Sequence, residues 1–173
     1  VLMVPLVLYF TSLGTWDITT QRDDGGWSGG FFKAQAESML QKRLDVRPAD
    51  IQAECFQRRR RCYGYFGLTP SIVRLPVIGI LRTWESAATP LFLVIAVILA
   101  YGAALRLVQR GVATLPDGAL SPALALGYSA LAALALGPAS ALLFVVRPAV
   151  FEEAVAWGVT FFLLAANHVW SWC

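Results

Sequence analysis

The chain has 173 residues, 57% hydrophobic and 14% charged, with net charge +3 and mean hydropathy +0.60. An ordinary soluble domain carries about 25% charged residues, so this composition excludes that class. The positive charge lies in one segment beside apolar blocks, which points to phosphate headgroups rather than nucleic acid as its partner.

Val1 to Leu13 is apolar but only 13 residues long, about 20 Å as a helix. The hydrocarbon core of a bilayer is roughly 30 Å thick. No basic segment precedes this block and no small-x-small cleavage site follows it, as a signal peptide would require. Residues 1–14 are therefore expected to be a first span whose start is missing, and the chain to be a piece of a larger membrane protein. Trp16 follows as an interfacial aromatic.

Residues 15–87 hold 19 of the 25 charged residues, 11 basic and 8 acidic. A loop of this length between spans usually has a binding or catalytic role. Four glycines in DDGGWSGG, residues 23–30, make a flexible stretch. The spacing of Phe32, Ala36, Met39, Leu40 and Leu44 predicts an amphipathic helix over 31–44, able to lie on a bilayer surface. Pro48 starts a new segment, with a short helix expected over 49–57. The run Arg58 to Arg61 follows, and then Tyr63, Tyr65 and Phe66 alternate with glycines as an extended strand or tight turn. Thr69-Pro70-Ser71 reads as a helix start, Thr69 the cap, opening a second interfacial or re-entrant helix over 70–82.

Three longer apolar blocks come next. Ser86 to Leu105 and Ala154 to Cys173 each run 20 residues without a formal charge, and Gly118 to Val146 runs 29. Each reaches the roughly 20 residues a transmembrane helix needs. Spans are placed at 88–106, 119–146 and 150–172, with a kink at Gly137-Pro138. The fold class is thus an all-α membrane protein of about four transmembrane helices, with a long outer loop carrying interfacial helices. The basic turn around Arg106 and Arg110 goes to the cytoplasm by the positive-inside rule. Residues 15–87 and 147–153 then share the extracytoplasmic face, as expected for a multi-pass plasma-membrane protein. Cys55 and Cys62 on that face can form a small disulfide.

The strings FFKAQAESMLQKRLDV and RCYGYFGLTPSIVRLP, followed by a span, resemble the N-terminal part of GT-C-type integral membrane glycosyltransferases. Ala36, Leu40, Leu44 and Val46 match the family's first-loop helix. Tyr63, Tyr65, Gly67, Pro70 and Pro76 match its Tyr-x-Tyr-x-Gly-x-x-Pro string, and Arg147 to Gly158 looks like the turn and fourth span of actinobacterial-type members. Two departures stand out: Arg60-Arg61 replaces an Asp-Gly before the first Tyr, and Lys33 stands where Asp is common. The resemblance covers most of the chain but about a third of a typical member.

It implies inverting transfer of a sugar from a polyprenyl-phosphate donor to an acceptor on the outer face. It also implies that the base is an Asp early in the first outer loop. Asp17 fits by position; Asp23 and Asp24 fit if the glycine stretch folds them back. Arg61 and Arg74 are candidates for the leaving phosphate, and Tyr63 and Tyr65 for lining the sugar site. Glu152 or Glu153 could take the acceptor or a metal. Each also has a plain structural role: solvated loop acids, headgroup-facing arginines, interfacial tyrosines, and glutamates favoured by a helix N-terminus. Arg74 interrupts an apolar decapeptide, so it is expected either to snorkel or to face a polar cavity.

No organic cofactor is expected, and a divalent metal stays open. His168 has no second histidine to build a metal site with. CxxC, HExxH, Walker and GxGxxG motifs are lacking. The expected partners are the bilayer, the lipid-linked sugar and the remainder of the parent chain. The competing class is a non-catalytic membrane protein whose GT-C-like loop binds lipid or a partner.

Overall fold

The computed structural model of the protein describes residues 30–51, 55–81, 88–116, 121–136 and 150–172. The expected first span at 1–14 and the kink at Gly137-Pro138 fall outside them. Helix dominates: α1 Gly30–Leu40, α2 Pro48–Ile51, α3 Thr69–Arg74, α4 Ile78–Leu81, α5 Ala88–Ala113, α6 Pro122–Leu136 and α7 Val150–Trp170. A two-stranded antiparallel hairpin, β1 Phe56–Arg58 and β2 Arg61–Tyr63, lies between α2 and α3.

Helix α1 is built from good helix formers, yet it stops at Leu40 instead of continuing to Leu44. Its last turn closes as a Schellman motif. Arg43 N–H donates to Ser38 O (2.9 Å), Lys42 N–H donates to Met39 O (2.9 Å), and Lys42 takes φ 59°. The buried face also differs from the apolar stripe read from spacing. Phe31, Phe32, Lys33, Gln35, Ala36 and Ser38 are buried, whereas Leu40 and Leu44 are exposed. What fixes the face is the partner, since α1 packs on α3 and α3 offers a hydroxyl.

The helix expected over 49–57 does not extend that far. Helix α2 ends at Ile51, and Phe56 and Gln57 lie in β1. The register pairs Phe56 with Tyr63, Gln57 with Cys62 and Arg58 with Arg61. A Cys55–Cys62 disulfide closes the hairpin. The segment expected as one helix over 70–82 is three short pieces: α3, a 3-10 turn at Leu75–Val77, and α4. Pro76 has no N–H to give to an α-helical ladder, and the chain tightens there instead. Thr69 lies inside α3 rather than capping it; Leu68 is the cap residue.

Helix α5 has 26 residues, about 39 Å at 1.5 Å per residue. Its Leu91–Ala113 stretch is long and apolar enough to cross a membrane, the one such helix among the described residues. It passes straight through Arg106, where an exit was expected. Helix α6 starts with Ser121 as cap, whose Oγ accepts from Leu124 N–H at 3.3 Å, and with Pro122 in its first turn. Helices α5 and α7 pack along their lengths and run parallel: Thr160 meets Ala96 and Asn167 meets Ala103, both 64 residues apart.

Two apolar clusters form the core. One gathers Phe92, Leu93, Ala96, Ala156 and Trp157, with Val73 and Val77 packed against it. The other gathers Phe31, Phe32, Val46, Ile51, Cys62 and Phe66, with Ala154 against it. Rings of Phe31, Phe32 and Phe66 meet edge-on at 5.1–6.4 Å. A Cβ at Gly64 would run into the Phe31 ring and lie 2.9 Å from Ile51 Cδ1, so the hairpin's exit approaches α1 where only glycine fits.

Candidate functional site

Where the two clusters touch, the protein buries a charged pair. Arg74 at the end of α3 and Glu153 in the first turn of α7 are both completely enclosed. The guanidinium grips the carboxylate as a fork. Nη1 donates to Oε1, and Nη2 donates to Oε2 at 2.7 Å. Nη1 also donates to Pro70 O at 3.0 Å. The guanidinium carbon sits 4.5 Å from the Phe92 ring centroid and 5.4 Å from that of Phe32. Arg74 thus joins a ring from each cluster by cation–π contact.

The neighbouring turn adds a second buried polar contact. Ser71 Oγ donates to Gln35 Oε1 at 2.6 Å, tying α3 to α1. Below Glu153 the polar residues of α7 continue at seven-residue steps. Thr160 Oγ1 donates to Ala96 O (2.9 Å) and to Ala156 O (2.7 Å). Asn167 Nδ2 donates to Ala103 O (2.7 Å) and to Leu163 O (3.0 Å). Small residues at Ala96, Ala103 and Ala156 let the backbones come close enough for these bonds. Arg110 donates to the Asn167 carbonyl near the C-terminal end of α7, where a cation suits the helix dipole.

The second polar feature is the hairpin. Phe56, Arg58, Arg59, Arg61 and Tyr63 line a concavity of about 860 Å³. Arg61 makes a long ion pair with Asp45 (3.6 Å), which Arg43 shares at 3.4 Å. Arg58, Arg59 and Arg60 have no ion pair with any described residue.

The candidate residues therefore separate. Arg74 and Glu153, 79 positions apart, come together. Arg74 neither snorkels nor opens onto a cavity, because its guanidinium is enclosed by Glu153 and two rings. Both Glu153 oxygens accept from Arg74, so this carboxylate is the guanidinium's partner here. No group of three metal-ligating side chains occurs among the described residues. Arg61 and Tyr63 share the hairpin concavity. Tyr65 is exposed, its ring 4.6 Å from that of Phe66. Asp17, Asp23 and Asp24 lie outside the described residues, as does the Glu152 side chain. Gln35, Ser71, Thr160 and Asn167 were missed. The spacing of Glu153, Thr160 and Asn167 in an otherwise apolar block was the readable signal for the last two. No protein-family model, curated protein or solved structure matches the chain.

Proposed function

We propose that the chain is the N-terminal part of a multi-pass membrane glycosyltransferase of the GT-C type. It transfers a sugar from a polyprenyl-phosphate donor to an acceptor at the outer face of the plasma membrane. The observation that carries the membrane side of this reading is the Arg74–Glu153 fork. It fastens the long polar loop to the first turn of α7, the arrangement required if 15–87 and 147–153 share one face. The parallel course of α5 and α7 supports three of the four spans, since parallel neighbours need the chain between them to cross back. The apolar window of α5 is only 33% buried, and Phe162, Val169, Leu126 and Leu131 are exposed. A soluble protein would cover such a surface.

The resemblance supplies the chemistry. Asp17, or Asp23 and Asp24, takes the acceptor proton. Arg61 stabilises the departing phosphate, while Tyr63 and Tyr65 line the sugar site. Arg74 and Glu153 act one step back as positioning residues that hold the loop over the membrane helices. A non-catalytic scaffold is favoured by one observation: two of the expected substrate contacts satisfy each other.

The deciding experiment reconstitutes the full-length parent with a labelled polyprenyl-phosphate sugar and acceptor extract. Transfer that falls at least a hundredfold in Asp17→Asn or in Asp23→Asn/Asp24→Asn is expected. Absence of transfer by the intact parent overturns the catalytic reading. Full activity in both variants overturns the assignment of the base.

A further inference from the structure

The hairpin carries two local costs, the second eased in part by the ion pair of Arg61 with Asp45 at 3.6 Å. The turn residues Arg59 and Arg60 sit at φ 51° and 63°, the pattern of a two-residue type I′ turn. Asn-Gly is the sequence that suits those positions; a long side chain there is strained. The flanking pair, Arg58 and Arg61, sets like charges directly across the ladder, which is also unfavourable. The Cys55–Cys62 disulfide, together with the Val46–Cys62 bridge, holds this arrangement on the protein. Phe56, 62% exposed, and the ring of Tyr63 flank the arginines in one concavity. Exposed guanidinium groups on a held backbone, beside exposed aromatic surface, match a phosphodiester headgroup with the start of its acyl chains, since arginine forks onto phosphate and aromatics settle at headgroup level.

We infer that the disulfide-closed hairpin 55–63 is a binding site for the headgroups of anionic bilayer lipids, with Arg58 and Arg59 as its phosphate contacts. The site orients the loop against the membrane surface. It goes beyond the transfer reading: ordinary bilayer lipid takes the Arg58–Arg59 edge of the concavity, beside the Arg61 and Tyr63 that the transfer reading gives to the sugar donor. Binding fails independently of catalysis.

The test titrates the detergent-solubilised full chain with short-chain phosphatidylglycerol, using short-chain phosphatidylcholine, inorganic phosphate and a hexaglutamate peptide as comparison arms. Binding of phosphatidylglycerol that weakens with salt and exceeds the other three by tenfold or more is expected. Each arginine removed should weaken it about fivefold, so Arg58→Gln/Arg59→Gln should lose about 25-fold. A second variant separates binding from folding. Arg59→Asn/Arg60→Gly gives the turn its preferred residues, so its thermal midpoint should rise while lipid affinity falls. Equal affinity in this variant and the parent chain overturns the proposal. Equal affinity for phosphatidylcholine, phosphate or hexaglutamate overturns it too, the last in favour of an acidic protein partner.

Discussion

Removing either half of the Arg74–Glu153 pair should loosen the whole loop. Glu153→Leu leaves an enclosed guanidinium without its carboxylate, beside the Pro70 carbonyl and two rings, at a cost of about 3–5 kcal/mol. Arg74→Met leaves the carboxylate uncompensated and also loses the contacts to Phe92 and Phe32, worth up to about 2 kcal/mol in a desolvated site. It should therefore be the worse of the two. Glu153→Gln keeps shape and one acceptor, so about 2 kcal/mol is expected from weakening a charged hydrogen bond. The double variant Arg74→Met/Glu153→Leu buries no charge and should come back to within about 2 kcal/mol of the parent, because apolar replacement of a buried pair is often neutral. Reversible unfolding in mixed detergent–SDS micelles, followed by circular dichroism, measures all four. A coupling energy above about 3 kcal/mol is expected from the cycle. If Glu153→Leu costs under about 1 kcal/mol, as solvated pairs do, the pair is not buried and the loop is not fastened to α7 through it.

The interhelical bonds of α7 give a smaller effect: Thr160→Val and Asn167→Leu should each cost about 0.6–1.7 kcal/mol in the same unfolding assay. Lys42→Gly relieves a left-handed residue at the end of α1 and should stabilise the protein by about 1 kcal/mol, read as a higher thermal midpoint. Reducing Cys55–Cys62, whose positions are 7 apart, should lower hairpin stability by about 2.5 kcal/mol on loop-closure entropy. Faster hydrogen exchange at the amides of Arg58 to Tyr63 checks it, and unchanged exchange would show that strand pairing alone holds the hairpin.

The sequence was most informative where composition acts alone. The apolar block after Ser86 became α5 because a run of that length leaves helix as the cheapest way to satisfy its backbone. Arg74 was conspicuous as a charge inside an apolar run and Glu153 as one at the edge of another, but nothing local could join positions 79 residues apart. The hairpin was hidden because an Arg-Arg turn contradicts turn chemistry, and the four-arginine run read as a charge cluster. The end of α1 was hidden for a similar reason, since Lys42 stands where glycine usually signals a stop. The buried face of α1 was set by Ser71 on another helix, so an apolar stripe pointed to Leu40 and Leu44 instead of Gln35. The base candidates Asp17, Asp23 and Asp24 lie outside the described residues and rest on resemblance.

The seven-residue spacing of Glu153, Thr160 and Asn167 makes α7 behave like a key with three teeth. Sliding it by one residue moves it about 1.5 Å and turns it about 100°, which withdraws every tooth from Arg74, Ala96 and Ala103 at once. The nearest shift that sets these polar residues back on the same seam is a heptad, about 10 Å along the axis. Small adjustments in register are thereby closed to this helix. Any motion that opens the loop must carry α3, α5 and α7 together, or swing about a joint elsewhere in the chain.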